Sequence, residues 1–220
     1  MNAMLHNTTT LDLSMSELSA LVLRATKGSG FSWGEADEAA DACVWLAQMG
    51  AECVGPLLDV LLDKTSCAPD INVAVWEGNS VICPLRSGII LRDFVNLPKG
   101  LAGGSLVIKR VQNWCFLLPF ISNSAVSLGQ DIVMKAGADT FKLFADGSIN
   151  ELPEIPSAHA ANIEITTTTK NEVHPPKVKL HRAKITLEQY EAISNLAMQM
   201  TVPTSNISEA GAGSSGSDND

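Results

Sequence analysis

This chain is short of the residues on which recognisable chemistry is built. It has one tyrosine in 220 residues, and aromatics make up only 5% of it, which leaves little with which to wall a ligand pocket. Charged residues are 18% of the chain, and acids outnumber bases 24 to 15. A duplex nucleic-acid binder needs a basic footprint, so nucleic acid is excluded as a partner. The five cysteines (Cys43, Cys53, Cys67, Cys83, Cys115) are odd in number and form no C-x-x-C, which excludes a zinc knuckle and a thioredoxin-like motif. His6, His159, His174 and His181 make no H-x-H or H-x-x-x-H pair, so no local metal site is expected. There is no Walker loop and no G-x-S-x-G, and hence no implied cofactor. The longest apolar run, Trp114–Ile121, is too short to span a bilayer. The N-terminus lacks a basic region followed by an apolar stretch, which argues against a secretory signal. A soluble, cytoplasmic protein with free thiols is the expectation.

What is present begins with 45% hydrophobic residues, enough for a full core. The net charge of −9 is unevenly spread. Before residue 71, Asp12, Glu17, Glu35, Asp37, Glu38, Asp41, Glu52, Asp59, Asp63 and Asp70 face only Arg24, Lys27 and Lys64. Bases gather later, at Lys170, Lys177, Lys179, Arg182 and Lys184, with His174 and His181 among them. They read as a solvated strand face, with an anion-contacting surface as the alternative.

The element pattern is α+β, in one domain spanning 1–220. A frayed leader covers 1–13 and a helical unit covers 14–65. Ser14-x-x-Glu17 and Ser32-x-x-Glu35 are capping boxes that open the first two helices. Gly28 and Gly50 close them, and a short apolar helix lies near Pro56–Asp63. From 70 to 185 the texture turns to strands: Val73–Trp76, Val81–Pro84, Ile89–Asp93, Ser105–Val111, Cys115–Ile121 and Ile132–Lys135. A hairpin is expected over Thr140–Phe144, Ala145–Ser148 and onward from Ile149. Two more strands are expected at Asn162–Thr168 and Lys177–Ile185. A final helix over 186–200, capped by Thr186 and Gln189, presents Leu187, Tyr190, Ile193, Leu196, Ala197 and Met200 as a buried stripe. The sum is an N-terminal helical unit on a largely antiparallel sheet, with a C-terminal helix and a Gly/Ser/Asp tail over 201–220.

Two strings stand out. One runs Ala25-Thr-Lys-Gly28-Ser-Gly30-Phe-Ser-Trp33-Gly34-Glu35 and on to Leu46. The other runs from Thr201-Val-Pro203 through Gly211-Ala-Gly213 to Asp218-Asn219-Asp220. With Cys83-Pro84, Gly88 and Leu117–Phe120 between them, they resemble an uncharacterised bacterial family known only as a domain of unknown function. The resemblance implies no activity.

Candidate binding residues are Trp33, Glu35, Glu38, Trp45, Thr201, Pro203, Asp218, Asn219 and Asp220. Glu35 and Glu38 sit three apart beside Trp33, where an aromatic wall could raise a carboxyl pKa. Against this, Glu35 completes a capping box, and acids favour a helix start. Gly28-Ser29-Gly30 could cradle a phosphate, but a helix precedes it rather than a strand, which favours a helix stop and tight corner. Trp45 lies opposite the apolar arc of its helix and points to a second surface. The tail reads as a solvated coil, as a segment folded back on the basic 177–184 stretch, or as a signal read by a partner. Two function classes remain. One is an accessory protein that binds a protein partner or its own copies, with no recognisable catalytic constellation. The other is a small-molecule-binding protein or enzyme with its site between the helical unit and the sheet, Trp33 and Glu35 at its rim and the C-terminal tail able to close it.

Overall fold

Ser14 and Ser32 open the first two helices in the way their spacing requires. Helix α1 runs Met15–Gly28. The Glu17 N–H donates to Ser14 Oγ at 3.2 Å, and the Ser14 N–H donates to Glu17 Oε2 at 2.7 Å. Helix α2 runs Trp33–Gln48, with the same reciprocal pair between Ser32 and Glu35. Both boxes satisfy amides that the first helical turn leaves without partners. This computed structural model describes residues 9–152, 160–168 and 178–200.

Between the two helices the chain turns at Gly30, whose φ of +98° is left-handed space that favours glycine. Gly28-Ser29-Gly30 is therefore a helix end and corner. Helix α3, Val54–Leu62, follows the second corner.

The main sheet has six strands: β2 (Asp70–Ile71), β3 (Val75–Glu77), β4 (Ser105–Val111), β5 (Asp131–Ala136), β6 (Asp139–Leu143) and β7 (Ala161–Thr168). Their spatial order is β2-β3-β4-β7-β5-β6, and only β3 and β4 run parallel. Ile163 faces both Ile108 of β4 and Ala136 of β5, and Ile165 faces both Leu106 and Met134. These side chains are buried on one face, whereas Asn162, Glu164 and Thr166 on the other are exposed. That is the two-residue period of a sheet covered on one side. The expected hairpin is present: Phe144 N–H donates to Ser148 O, and Leu143 pairs antiparallel with Ile149.

Three expected strand assignments are overturned. Residues Val81–Pro84 and Ile89–Asp93 give two isolated bridges at Ile82, to Cys67 and Val111, and then helix α4, Pro84–Phe94. Pro84 stands in its first turn, where the missing N–H costs nothing. Cys115–Ile121 becomes a 3-10 turn at Trp114–Phe116 followed by helix α5, Leu117–Leu128. Eight residues of α5 are buried, from Leu117 to Ser122 without a break, so no polar stripe betrays its period. Strand β1, Thr10–Ser14, replaces the far end of the expected leader. It pairs antiparallel with β8, Arg182–Thr186, through Leu11 opposite Ile185. Residues 178–181 of the expected Lys177–Ile185 strand lie outside β8. The rest of the leader, 1–8, and the tail, 201–220, lie outside the described residues.

Helix α6, Leu187–Met198, carries the expected Thr186–Gln189 box and buries Ile193, Leu196 and Ala197. Leu187 and Tyr190 are exposed rather than part of its buried stripe. Helix α5 lies against β5 and β6, α4 packs on α5, and α2 meets both α4 and α5. On its other side α2 packs on α1, which in turn packs on α6. The fold is α+β, with its N-terminal helices joined to a mostly antiparallel sheet through a continuous apolar core.

The α1–α6 crossing depends on Gly28. A Cβ there would stand 2.0 Å from the Leu196 carbonyl oxygen, a backbone atom that cannot swing aside. Gly28→Ala should destabilise the protein by about 2 kcal/mol through overpacking. Thermal unfolding of the variant beside wild type checks this; an unchanged melting temperature would contradict the close approach.

Candidate functional site

The corner between α2 and α3 folds against β8 and leaves a cleft of about 550 Å³. Leu180 N–H donates to Gln48 O at 2.8 Å, which pins the segment entering β8 to the end of α2. Ala47, Ala51, Cys53, Ala183 and Ile185 give the cleft an apolar lining. Asp12, Glu52, His181, Arg182 and Lys184 supply its ionisable groups. Asp12 and Lys184 are cross-strand neighbours on β1 and β8. Arg182 Nε lies 3.0 Å from Asp12 Oδ1. Glu52 is fixed from two directions, accepting from Gly55 N–H at 2.6 Å and from Gln189 Nε2 at 3.0 Å. The cleft is thus an apolar hollow edged by charges of both signs, of which Asp12 and Arg182 are paired and Glu52 is fastened.

The residues singled out from sequence divide into two places, neither of them this cleft. Trp33 and Glu35 stand at the start of α2. Trp33 is 55% exposed, with Lys27 Nζ 5.6 Å from its ring centre. Glu35 Oε1 accepts from Arg86 Nε of α4 at 3.0 Å, and Arg86 also lies over the Phe31 ring. Burial pushes the Glu35 carboxyl up, but hydrogen bonds from Ser32 and Arg86 outweigh it and hold the group below its ordinary value. Glu38 and Trp45, two turns apart on α2, do come together, on a shallow groove whose floor includes Pro119 and Phe120 of α5. Burial raises the Glu38 pKa; Arg92, 2.6 Å away, opposes the rise, and Asp41, Asp93 and Asp37 add to it. Thr201, Pro203, Asp218, Asn219 and Asp220 lie outside the described residues.

Three of the thiols, Cys43, Cys83 and Cys115, are poorly set up for nucleophilic work. All five cysteines are free. Burial pushes Cys115 up to about 12. Burial, with Cys53 hydrogen-bonded beside it, raises Cys43 well above the ordinary thiol range. Cys83 stands at the N-terminus of α4, a position that favours a thiolate. Burial there outweighs the Arg86 and Leu85 amides, and its pKa is raised too. Among the described residues no three His, Cys, Asp or Glu side chains converge as a metal site. No helix among them is long and apolar enough to cross a membrane.

Sequence reasoning missed the cleft because its walls come from three distant stretches. Asp12 and Arg182 meet only through the β1–β8 pairing. The one available signal was the basic stretch at 177–184, whose Arg182 and Lys184 line the cleft.

Glu35 yields a pH prediction. Its pKa is depressed below 4.5 in the folded state, so its contribution is complete above that value and is lost as pH falls through the folded pKa. Glu35→Gln keeps a capping residue but loses the charge paired with Arg86, and should lower stability by about 0.5 kcal/mol at pH 7, with the gap to wild type closing on acidification below 4.5. Urea melts across that range test it; a gap that stays constant would show that the carboxylate charge is irrelevant.

Residues 13–74, which hold α1, α2 and α3, match a family described as "Protein of unknown function (DUF3726)". No curated protein gives a significant match. Among solved structures, the crystal structure of malate dehydrogenase from Entamoeba histolytica is similar at 12% identity and a TM-score of 0.43. That match covers 74% of this chain and 51% of the dehydrogenase chain, so this chain spans about half of its neighbour's length. The N-terminal helices are therefore similar to a family without an assigned function, in keeping with the resemblance carried by their Gly28–Gly34 corner.

Proposed function

We propose that this chain is a non-catalytic binding protein that takes up a small amphipathic molecule in the cleft between the α2–α3 corner and β8. One observation carries the reading: a hollow of about 550 Å³ with an apolar lining and charges confined to a few fixed positions. Small-molecule sites commonly occupy roughly 300–1,000 Å³ and combine apolar walls with a few placed polar groups. The ligand's apolar body lies against Ala47, Ala51 and Ala183. Its polar end meets the carboxylates and cations of Asp12, Glu52, Arg182 and Lys184. Support for binding rather than chemistry comes from the neighbouring groups. The cleft's thiol, Cys53, is buried and free, and Glu52 is held by a backbone amide and Gln189.

A metabolite library screened by thermal shift tests the reading. A ligand at a hundredfold excess over its Kd adds about 2.7 kcal/mol, which for a chain of this size raises the melting temperature by about 5–10 °C. Ala51→Trp fills the cleft and should abolish the shift while leaving a cooperative melt. Trp33→Ala, away from the cleft, should retain it. A library without hits, or a shift that survives Ala51→Trp, would count against this site.

A further inference from the structure

A different set of residues forms the groove beside Trp45. Two hollows, of about 230 and 240 Å³, share Trp45 and Asn123 and so run together along α2. In the first, Ala42, Trp45, Pro119 and Phe120 make an apolar floor edged by Glu38 and Asp41. The second is lined by Met49, Ser122, Asp146 and Lys179. Trp45 is only half-buried on this face, and its indole N–H meets no acceptor among the described residues. An indole with its ring packed and its N–H open is the kind of side chain on which interface energy concentrates.

We propose that this groove docks a basic, partly apolar segment of a partner protein. Charge selects the occupant. Around the first hollow, Asp41, Asp93 and Asp37 lie close enough to act on Glu38, and among the described residues Arg92 is the cation that offsets them there. Burial is the main cause of the raised Glu38 pKa, and this crowding of like charge adds to it. Lys179 makes the far end less negative, so the cationic part of the segment lies over Glu38 and Asp41. Its apolar side chains meet Trp45, Phe120 and Met49. A net charge of −9 steers a cationic partner in and repels a second copy of this chain. The chain's own residues 201–220 contain acids and no Lys or Arg, so they are mismatched to this surface. Neither hollow alone reaches the volume usual for a small-molecule site, whereas an extended segment can use both.

The test uses the full chain and a fluorescein-labelled peptide of alternating lysine and leucine, read by anisotropy. The wild type should bind it, and raising the salt should weaken the complex. Asp41→Lys and Trp45→Ala should each raise Kd about tenfold, the scale of a 1.4 kcal/mol loss. Reversal of an acid elsewhere, Asp139→Lys, should leave Kd within about twofold, the scatter expected of a remote surface charge. Asp41 is exposed, so its variant keeps the fold; if Trp45→Ala melts early, Trp45→Phe replaces it. The proposal is overturned if the peptide does not bind, or if the groove variants bind as wild type does. Equal binding of a peptide with glutamate in place of lysine overturns it as well. So does an ultracentrifuge dimer that Trp45→Ala dissociates, which would make a second copy the occupant.

Discussion

Helix α2 has to be buried on more than one side, and the rest of the fold is arranged around that requirement. Its Ala36, Ala39, Ala40, Cys43 and Ala47 are all buried and small, so α1 can lie close along it. Helices α4 and α5 cover another flank, and β8 closes against its end. A helix whose buried side is mostly alanine gains little from any single contact. Its stability comes from having neighbours all along it, and two ion pairs fasten it to α4 at Glu35–Arg86 and Glu38–Arg92.

The two surfaces of interest follow from the same helix. Where α2 ends, the chain turns through Gly50 and Ala51, and the corner stands off from β8 far enough to leave the cleft. Where α2 meets α5, Trp45 is too large to be swallowed between the helices, so the groove forms around it. Acids Glu38 and Asp41 share that side of α2 with Trp45. The result is an apolar floor with negative edges, while the cleft has charges of both signs, Asp12 and Arg182 being paired. The two surfaces therefore select different occupants, although a single helix borders both.

Local signals were legible in the sequence and nonlocal ones were not. The boxes at Ser14, Ser32 and Thr186 each depend on a residue three positions away, and all three form. Ser105–Val111 matched its strand, and Asn162–Thr168 came within one residue of its own, because β-branched residues alternate there with polar ones. Helix α5 was hidden because Leu117, Leu118 and Ile121 belong to an apolar run without a polar face, and helix α4 because its Ile89-Ile90-Leu91 core is a short apolar run; such runs fit a buried strand or a buried helix equally well. Strand β1 was hidden for another reason: Thr10–Ser14 has no partner within reach along the chain and pairs only with Arg182–Thr186. The cleft inherits that difficulty, since it exists only once β1 and β8 have met. The meeting of Glu38 and Trp45 was implicit in their spacing of seven, but the floor from Pro119 and Phe120 was not.

Strand β7 sits in the middle of the six-stranded sheet yet is the last of its strands in the chain. Strands β2-β3-β4 on one side and β5-β6 on the other share no ladder without it. As the chain is synthesised, two half-sheets stand with bare inner edges until residues 161–168 arrive to join them. Ile163 and Ile165 each pair with both halves, so neither half has its inner neighbour before β7 is in place. The order of synthesis thus opposes the order of assembly. The interval before β7 emerges is when exposed strand edges invite mispairing with other chains, and its length is written into the topology.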